Sequence, residues 1–206
     1  MATNTDLFRS ARDHLVDVMT DYDRAMATFS WPRLSGAFNW ATDWFDVIAR
    51  GNDRIALWIV EEDGSETQVT FDEMARRSDQ VATWLAGLGV GKGDRVILML
   101  GNQVELWESM LAIAKLGAVI MPTTSALGPA DLADRIGRGG ARAVIANTAD
   151  TAKFDAVEGG SMRVVVGEPV TGWRTYTDAY SVPAQPFTAC TEVEDTSLVY
   201  FTSGTT

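Results

Sequence analysis

Hydrophobic positions in the first part of the chain recur at helical spacing in three places. Between Asp6 and Phe29 an apolar residue stands at every third or fourth position, which predicts one amphipathic helix ended by Trp31-Pro32. A second helix is predicted from about Asn39 to Ala49, and its aromatic residues are interpreted as core or docking surface rather than as a ligand cage. A third helix is predicted after Thr70-Phe71-Asp72-Glu73, which has the form of a capping box.

Strand-like runs then alternate with helical ones. Ile55 to Val60 and Gln68 to Thr70 flank the turn Glu62-Asp63-Gly64-Ser65 and predict a hairpin. Arg95 to Leu100 is a continuous apolar run, which is typical of a strand inside a parallel sheet. The remaining predicted elements are a helix capped by Asn102 and Glu105, a strand at Ala118 to Met121, a helix at Pro129 to Arg138, a strand at Ala143 to Ala146, a helical turn at Thr151 to Val157, a strand at Arg163 to Val166, a surface connection at Gly167 to Thr196 and a strand at Ser197 to Thr202. This alternation predicts an α/β fold with a largely parallel sheet and flanking helices.

Size, charge and cysteine count narrow the functional class. With 206 residues and 46% hydrophobic content, the chain can bury a substantial core. Its formal charge of −11 repels phosphate backbones and anionic membranes, so no nucleic-acid partner is expected. The single cysteine, Cys190, excludes an intrachain disulfide and the usual zinc frameworks, and it fits a reducing, cytoplasmic setting. The most apolar stretch, Met110 to Pro122, is interrupted by Lys115 and is too short to span a bilayer.

Several groups that suggest chemistry are explained by local structure. The glycine-rich run Gly87 to Gly93 matches neither Rossmann nor P-loop spacing and joins a helix to the start of a strand, so a connecting turn is favoured. His14 is the only histidine, which excludes a Ser-His-Asp triad and a multi-histidine metal site. Cys190 has no histidine or basic neighbour in sequence to activate it, and the carboxylates Asp72 and Glu73 are explained by capping. No metal site and no catalytic residue is predicted within the chain.

The last predicted strand ends in a run of hydroxyl residues. Thr202-Ser203-Gly204-Thr205-Thr206 follows the apolar stretch Ser197 to Phe201 directly, at the carboxyl end of a strand, where open α/β sheets bind ligands. A glycine lets the backbone turn and present successive N–H groups, and small hydroxyls add donors, which together suit phosphate oxygens. By composition alone, an ordinary Ser/Thr turn explains the stretch equally well.

The order of these residues favours phosphate binding. Tyr200-Phe-Thr-Ser-Gly-Thr-Thr206 resembles the start of the phosphate-binding signature of the adenylate-forming superfamily, which includes acyl-CoA synthetases, peptide-synthetase adenylation domains and luciferases. Upstream stretches are similar, in the same order, to the opening of medium-chain acyl-CoA synthetases, namely Phe38 to Trp44, Ala56 to Trp58, Thr70-Phe71, Gly93 to Val96, Leu116 to Ala118, Met121-Pro122, Ala130 to Leu132 and Ala143 to Ile145. The resemblance implies an N-terminal helix and linker in residues 1–37 and the N-terminal portion of an AMP-binding domain in residues 38–206.

The resemblance also implies an activity. ATP and a carboxylic (fatty) acid give an acyl-adenylate in this family, and coenzyme A then takes the acyl group as a thioester. Mg²⁺ and a lysine stabilise the charge on the departing pyrophosphate. The residues that would hold the β- and γ-phosphates are Thr202, Ser203, Gly204, Thr205 and Thr206. No coenzyme A residue is carried over, because Ala126 occupies the position where some relatives place a glutamine.

In relatives of this kind, the loop lysine, the acyl pocket, the adenine and ribose contacts and a mobile C-terminal domain with a second catalytic lysine would all lie beyond the position of Thr206. The 206 residues alone are therefore expected to make no acyl-adenylate. Two alternatives stay open, an amino-acid-activating adenylation domain and a non-catalytic α/β fragment or interaction domain. A Gly-x-Pro-Lys continuation would favour catalysis, whereas a stop codon after Thr206 would favour the fragment.

Overall fold

The computed structural model describes residues 2–157, 159–188 and 190–201. The α-helices are α1 (Asn4–Val18), α2 (Tyr22–Thr28), α3 (Asp46–Ala49), α4 (Phe71–Gly87), α5 (Val104–Lys115) and α6 (Pro129–Gly139). The strands are β1 (Ile55–Val60), β2 (Glu66–Thr70), β3 (Arg95–Met99), β4 (Val119–Pro122), β5 (Ala141–Asn147), β6 (Met162–Val166) and β7 (Arg174–Thr175). A π-helix spans Trp40–Phe45, and 3-10 helices span Thr148–Phe154 and Tyr176–Ser181.

Five strands form a parallel sheet, which confirms the predicted α/β fold. The strand order is β4-β3-β5-β6-β7, and every neighbouring pair runs parallel. β1 and β2 form a separate antiparallel hairpin around the turn predicted at Glu62 to Ser65. Because β4 and β5 lie on opposite sides of β3, the strand order reverses there and creates a topological switch point, the kind of place where α/β sheets bind ligands.

Helices cover both faces of the sheet, which explains the continuous apolar run of β3. Val96 and Leu98 pack with residues of α4 and α5, whereas Ile97 and Met99 pack with residues of α6. None of these four side chains is more than 2% exposed. Burial of each contributes about 1.5–3 kcal/mol, so the three-layer arrangement is held mainly by this double apolar face.

The single helix predicted from Asp6 to Phe29 is wrong, because the chain breaks it into two. α1 ends at Val18 and α2 begins at Tyr22. Between them, Asp21 has an extended backbone and accepts a hydrogen bond from the backbone N–H of Arg24 as the N-cap of α2. The helical spacing of apolar residues runs through both helices and hid the break, whereas an aspartate N-cap was the local signal for it.

The helix predicted from Asn39 to Ala49 is present, but its first part is a π-helix. Asn39 caps it, since its Oδ1 accepts from the backbone N–H groups of Ala41 at 3.0 Å and Thr42 at 3.3 Å. Phe45 is buried among the residues of the hairpin, α4 and α5, which agrees with its interpretation as core. The Asn39 side chain is buried, with 3% of it exposed, and its cap bonds satisfy the amide oxygen there.

The predicted caps of α4 and α5 have different outcomes. Thr70 caps α4 by accepting from the backbone N–H of Glu73 at 3.1 Å, which confirms half of the predicted capping box, whereas the Glu73 carboxylate accepts from Arg77 instead. The cap predicted for α5 at Asn102 is wrong, because Gln103 precedes this helix and makes no side-chain cap bond. Asn102 Oδ1 instead accepts from the indole N–H of Trp107 at 3.1 Å. Because this oxygen is bonded to the indole, it does not accept from a backbone N–H at the start of α5.

The segment after β6 is more ordered than its sequence predicted. The connection expected from Gly167 to Thr196 contains β7 and the second 3-10 helix, whose Tyr176 is 1% exposed. The strand predicted from Ser197 to Thr202 is only partly confirmed, because within the described residues it pairs through one isolated bridge at Leu198. Both differences come from contacts with distant parts of the chain, which local spacing does not reveal.

In the part of the chain that the structure describes, no helix combines the length and the apolar character that crossing a bilayer requires.

Candidate functional site

Residues 197–201, called the extended segment, continue the sheet at the outer side of β4. The backbone N–H of Ile120 donates to the carbonyl of Ser197 at 3.0 Å, and the N–H of Val199 donates to the carbonyl of Ile120 at 2.9 Å. The bridge between Ile120 and Leu198 is parallel, so the segment runs toward the carboxyl edge of the sheet. The residues predicted to bind phosphate, which are Thr202, Ser203, Gly204, Thr205 and Thr206, follow directly in sequence and lie outside the described residues.

The end of this segment is held by the side chain of Phe201. Its ring packs with Val199 against the cluster that includes Met121 and α6. The guanidinium carbon of Arg135 stands 4.7 Å from the ring centroid, which is a cation–π distance. A Cβ at Gly139 would lie 3.2 Å from the ring, so glycine leaves the room that this packing uses. Phe201 therefore has a defined place immediately before the hydroxyl run.

The loops after β3 and β5 meet at the switch point of the sheet. Asn147, at the end of β5, donates from Nδ2 to Oε1 of Gln103 at 3.0 Å. Lys153 forms an ion pair with Asp150 at 2.7 Å and also donates to the carbonyl of Ser125 in the loop after β4. These contacts connect the loops at the carboxyl edge of the sheet to one another. They also leave Lys153 bonded to Asp150 and to the carbonyl of Ser125.

The structure also shows the surroundings of the histidine, the cysteine, the carboxylates and the glycine-rich run for which the sequence predicted no catalytic role. His14 Nε2 lies 2.9 Å from the hydroxyl of Thr28, and Cys190 is an exposed free thiol. The carboxylates Asp72 and Glu73 do not cap α4 as predicted, because Asp72 accepts from the backbone N–H of Gly51 at 2.7 Å and Glu73 accepts from Arg77. The run Gly87 to Gly93 joins α4 to β3, as expected for a connecting turn.

A buried ionic cluster at the amino edge of the sheet escaped the sequence analysis. Lys115, which is 0% exposed, lies 2.6 Å from Asp79 and 2.9 Å from Asp46, and its ammonium also donates to Ser78 Oγ at 2.9 Å. Arg50 contacts both carboxylates at 2.8 Å. Burial raises the pKa of Asp46, although the nearby ammonium opposes that shift. The signal for this cluster was a lysine inside the most apolar stretch of the sequence, because a buried lysine requires partners.

A second buried polar cluster joins α5 to the 3-10 helix at Tyr176–Ser181. Glu108 is 0% exposed and accepts from the hydroxyl of Tyr180 at 2.7 Å. Arg77 approaches its other oxygen at 3.4 Å, and Ser109 shares a hydrogen bond of 3.0 Å with the hydroxyl of Tyr176. Burial raises the pKa of Glu108 and of Tyr176. The cluster is enclosed by packed side chains and holds helices together, so it is assigned a structural role.

The stability of the fold should depend on pH through Glu108. Because burial raises its pKa in the folded state, its stabilising contribution is fully present below the unfolded value of 4.5 and is lost as the pH rises through the raised value. Glu108→Gln removes that titration, so the stability of this variant relative to wild type should improve as the pH rises above 4.5. Urea unfolding of both proteins over this rise in pH measures the difference. A relative stability that stays constant or falls with rising pH would contradict the assignment.

A cleft of about 560 Å³ lies between the hairpin, the π-helix and α5. Trp40, Trp58 and Trp107 line it with Phe71 and Met110, and the three tryptophans are 50%, 57% and 41% exposed. No charged side chain contributes to its lining. The cleft therefore has no group suited to phosphate, and the carboxyl edge remains the candidate site.

Known proteins are similar in sequence to most of this chain. Residues 44–206 match the family described as AMP-binding enzyme. Acyl-coenzyme A synthetase ACSM5, mitochondrial, from Rattus norvegicus is 31% identical over 183 residues, which cover 82% of this chain and 32% of that protein. Acyl-coenzyme A synthetase ACSM2B, mitochondrial, from Homo sapiens is 30% identical over 198 residues, which cover 88% of this chain and 34% of that protein. The chain spans about a third of the length of these relatives.

The same similarity is found among solved structures. The acyl-CoA synthetase of Brucella canis is 26% identical and superposes with a TM-score of 0.72. The superposition covers 90% of this chain and 35% of that chain. These comparisons agree with the resemblance drawn from the hydroxyl run and from the upstream stretches.

Proposed function

Because the chain belongs to the AMP-binding enzyme family, we propose that it forms the N-terminal part of an ATP-dependent acyl-CoA synthetase. The observation that carries the proposal is the hydroxyl run, which follows directly in sequence on a segment that runs parallel to β4 toward the carboxyl edge. Ligands of open α/β sheets bind outside this edge. The names of the rat and human relatives support the assignment to acyl-CoA synthetases in particular.

In the proposed site, backbone N–H groups and hydroxyls hold the phosphates of ATP. The residues with this role are Thr202, Ser203, Gly204, Thr205 and Thr206. Gly204 has no Cβ, so phosphate oxygens can approach the backbone closely, and the hydroxyls donate hydrogen bonds beside it. The chemistry that ATP supplies is an activated phosphoanhydride, which allows a carboxylic acid to become an acyl-adenylate and then a thioester of coenzyme A. The packing of Phe201 against Val199, Met121 and α6 fixes the last described residue before this run.

Mg²⁺ is proposed to bind together with ATP. This ion is usually held by substrate phosphates, water and one or two protein oxygens rather than by a cage of side chains. Within residues 2–157, 159–188 and 190–201, no group of three or more His, Cys, Asp and Glu side chains is arranged to hold a metal ion. The hydroxyl run supplies oxygens of the required kind, so the residues present fit an ion that arrives with the nucleotide.

The activity of the whole protein is proposed from its longer relatives, of which this chain spans about a third. A carboxylic acid, ATP and coenzyme A are the proposed partners, and the cytoplasm is the proposed location. In this scheme the present residues bind phosphate, while groups in the remainder of a longer protein act on the acid.

Titration with MgATP tests the phosphate site. The 206-residue chain is expected to bind the nucleotide through its phosphates, and joint replacement of Thr202, Thr205 and Thr206 by alanine should weaken binding about tenfold or more, because three donors are lost. Ser65→Ala with Thr67→Ala, in the exposed hairpin, removes two hydroxyls that do not belong to the proposed run and should leave the affinity unchanged. Equal affinities for the triple variant and the wild type would refute the assignment of these residues.

Turnover assays test the reaction itself. With ATP, coenzyme A and a panel of carboxylic acids, the natively expressed protein is expected to release pyrophosphate and to form a thioester. The 206 residues alone are expected to do neither. Activation of amino acids without thioester formation would identify an amino-acid-activating enzyme instead. A natively expressed protein that activates no acid of either kind would contradict the proposed function.

A further inference from the structure

The segment that leads to the hydroxyl run is tied to the start of the π-helix. Residues 190–197, called the connecting segment, cross the amino edge of the sheet before the chain turns along β4. The backbone N–H of Phe38 donates to the carbonyl of Thr191, and the N–H of Val193 donates to the carbonyl of Gly36, both at 3.0 Å. The hydroxyl of Thr191 also donates to the carbonyl of Phe38 at 2.7 Å. These bonds join two parts of the chain that are about 150 residues apart.

Two further contacts fix the connecting segment against the sheet. A Cβ at Gly117 would lie 2.9 Å from Thr191 Cγ2 and 3.0 Å from Cys190 Sγ, so the segment passes directly over this glycine. Lys92, in the turn before β3, forms an ion pair with Asp195 at 2.8 Å. The connecting segment is therefore held at several points before it reaches β4.

Asn39 lies at the centre of these contacts. Its Nδ2 donates to the carbonyl of Ala114 at 2.7 Å and to the hydroxyl oxygen of Thr191 at 3.2 Å. Its Oδ1 accepts from the backbone N–H groups of Ala41 and Thr42. The amide thus uses both donors and both acceptor positions. One buried side chain therefore links the π-helix, the end of α5 and the connecting segment.

The pairing between residues 197–201 and β4 is too short to fix its register by itself. Within the described residues, the extended segment and β4 share one bridge, with two hydrogen bonds centred on Ile120. Val199 and Phe201 pack inward, whereas Tyr200 is 66% exposed. A slip of one residue would reverse this alternation and move Thr202 by about 3.3 Å along the strand. Contacts outside the pairing must contribute to the register.

We propose that Asn39 is a positioning residue that sets the register of residues 190–201 and, through it, the place where the hydroxyl run begins. The consequence for nucleotide binding rests on the proposed function. Asparagine suits the task because it caps a helix with its oxygen while donating two hydrogen bonds with its nitrogen. Aspartate could perform the first role only, since its ionised form has no donor.

Amide hydrogen exchange measured by NMR on the 206-residue chain tests this role. Asn39→Asp keeps the acceptor for Ala41 and Thr42 but loses both donated bonds. Because it also places a carboxylate at a position that is 3% exposed, circular dichroism first checks that the variant is folded. Exchange at the Val199 amide, which donates to Ile120, is expected to rise about tenfold, whereas the amides of β3 and β5 change much less. Thr191→Val, which removes the hydroxyl partner, should reproduce the effect.

A matched control separates positioning from general destabilisation. Asn52 also makes two side-chain bonds to the backbone, to the carbonyl of Ile48 and from the N–H of Arg54, far from the connecting segment. Asn52→Ala should therefore leave the ratio of Val199 exchange to β3 and β5 exchange as in wild type. A Val199 amide that responds no more to Asn39→Asp than the amides of β3 and β5 would overturn the proposal.

MgATP titration of the same variants distinguishes this inference from the proposed function. If the wild type binds MgATP, Asn39→Asp is expected to weaken binding several-fold, while Asn52→Ala leaves it unchanged. If the wild type does not bind, the proposed phosphate site fails, and the exchange at Val199 still decides whether Asn39 sets the register. Unchanged MgATP affinity in Asn39→Asp together with faster Val199 exchange would uphold the register role and overturn its consequence for the nucleotide.

Discussion

Replacement of Lys115 by methionine is expected to lower the free energy of unfolding by about 3–5 kcal/mol. The side chain is fully buried, and its ammonium lies within 2.9 Å of one oxygen each of Asp46 and Asp79. Methionine fills a similar volume but leaves these two buried carboxylates with Arg50 as their remaining cationic partner. The penalty comes chiefly from uncompensated negative charge in a medium of low dielectric constant.

Urea unfolding at neutral pH, followed by circular dichroism, measures this loss. Lys92→Met provides the control, because Lys92 is half-exposed in its ion pair with Asp195 and exposed pairs contribute little. Adding Asp79→Asn to Lys115→Met should recover part of the stability, since it removes one of the stranded charges. A Lys115→Met protein that is as stable as the Lys92→Met protein would contradict the account of the cluster.

Gly117→Ala is expected to destabilise the fold by about 3 kcal/mol, the sum of backbone strain and overpacking. The glycine has a φ of +65°, a conformation that alanine adopts only at a cost. The new Cβ would also meet Thr191 and Cys190 at 3.0 Å or less, and Lys92 Cγ at 3.3 Å. The connecting segment would have to shift away from the sheet to admit it.

Gly51→Ala separates the two contributions. Gly51 has a similar φ of +71°, but a Cβ there would find nothing within 4 Å. Its replacement should therefore cost only the conformational part, about 1–2 kcal/mol. Denaturant unfolding of both variants gives the comparison, and exchange at the Val199 amide should rise in Gly117→Ala alone. Equal losses for the two variants would mean that the connecting segment does not pack against Gly117 as described.

The features predicted correctly from the sequence are those with a local cause. The turn at Glu62 to Ser65 and the cap at Thr70 depend on neighbouring residues, and both are present. The apolar run of β3 indicated a strand with two buried faces, and this is its environment. A local signal gave a wrong prediction where a second side chain competed for the same hydrogen-bonding group. At the start of α5, Trp107 takes the oxygen of Asn102 that would otherwise cap the helix.

The candidate site was predictable only in part. The string after Phe201 resembles a signature of the family to which the chain belongs, and phosphate binding by these residues stays a prediction. The spacing of apolar residues could not reveal that the preceding segment pairs with β4, nor that Asn39 anchors it through Thr191, 152 residues away. Such partners are chosen by the packing of the whole chain.

By itself, the sequence determined the α/β class, the parallel strands, the hairpin and the family, because periodicity, turn residues and a continuous motif act over a few neighbouring positions. The tertiary structure alone decided which charges are buried together and where the last described segment lies. Lys115 meets Asp79 over a separation of 36 residues, and Ile120 meets Leu198 across the edge of the sheet. These contacts depend on how the helices and strands pack in three dimensions, which no local pattern records.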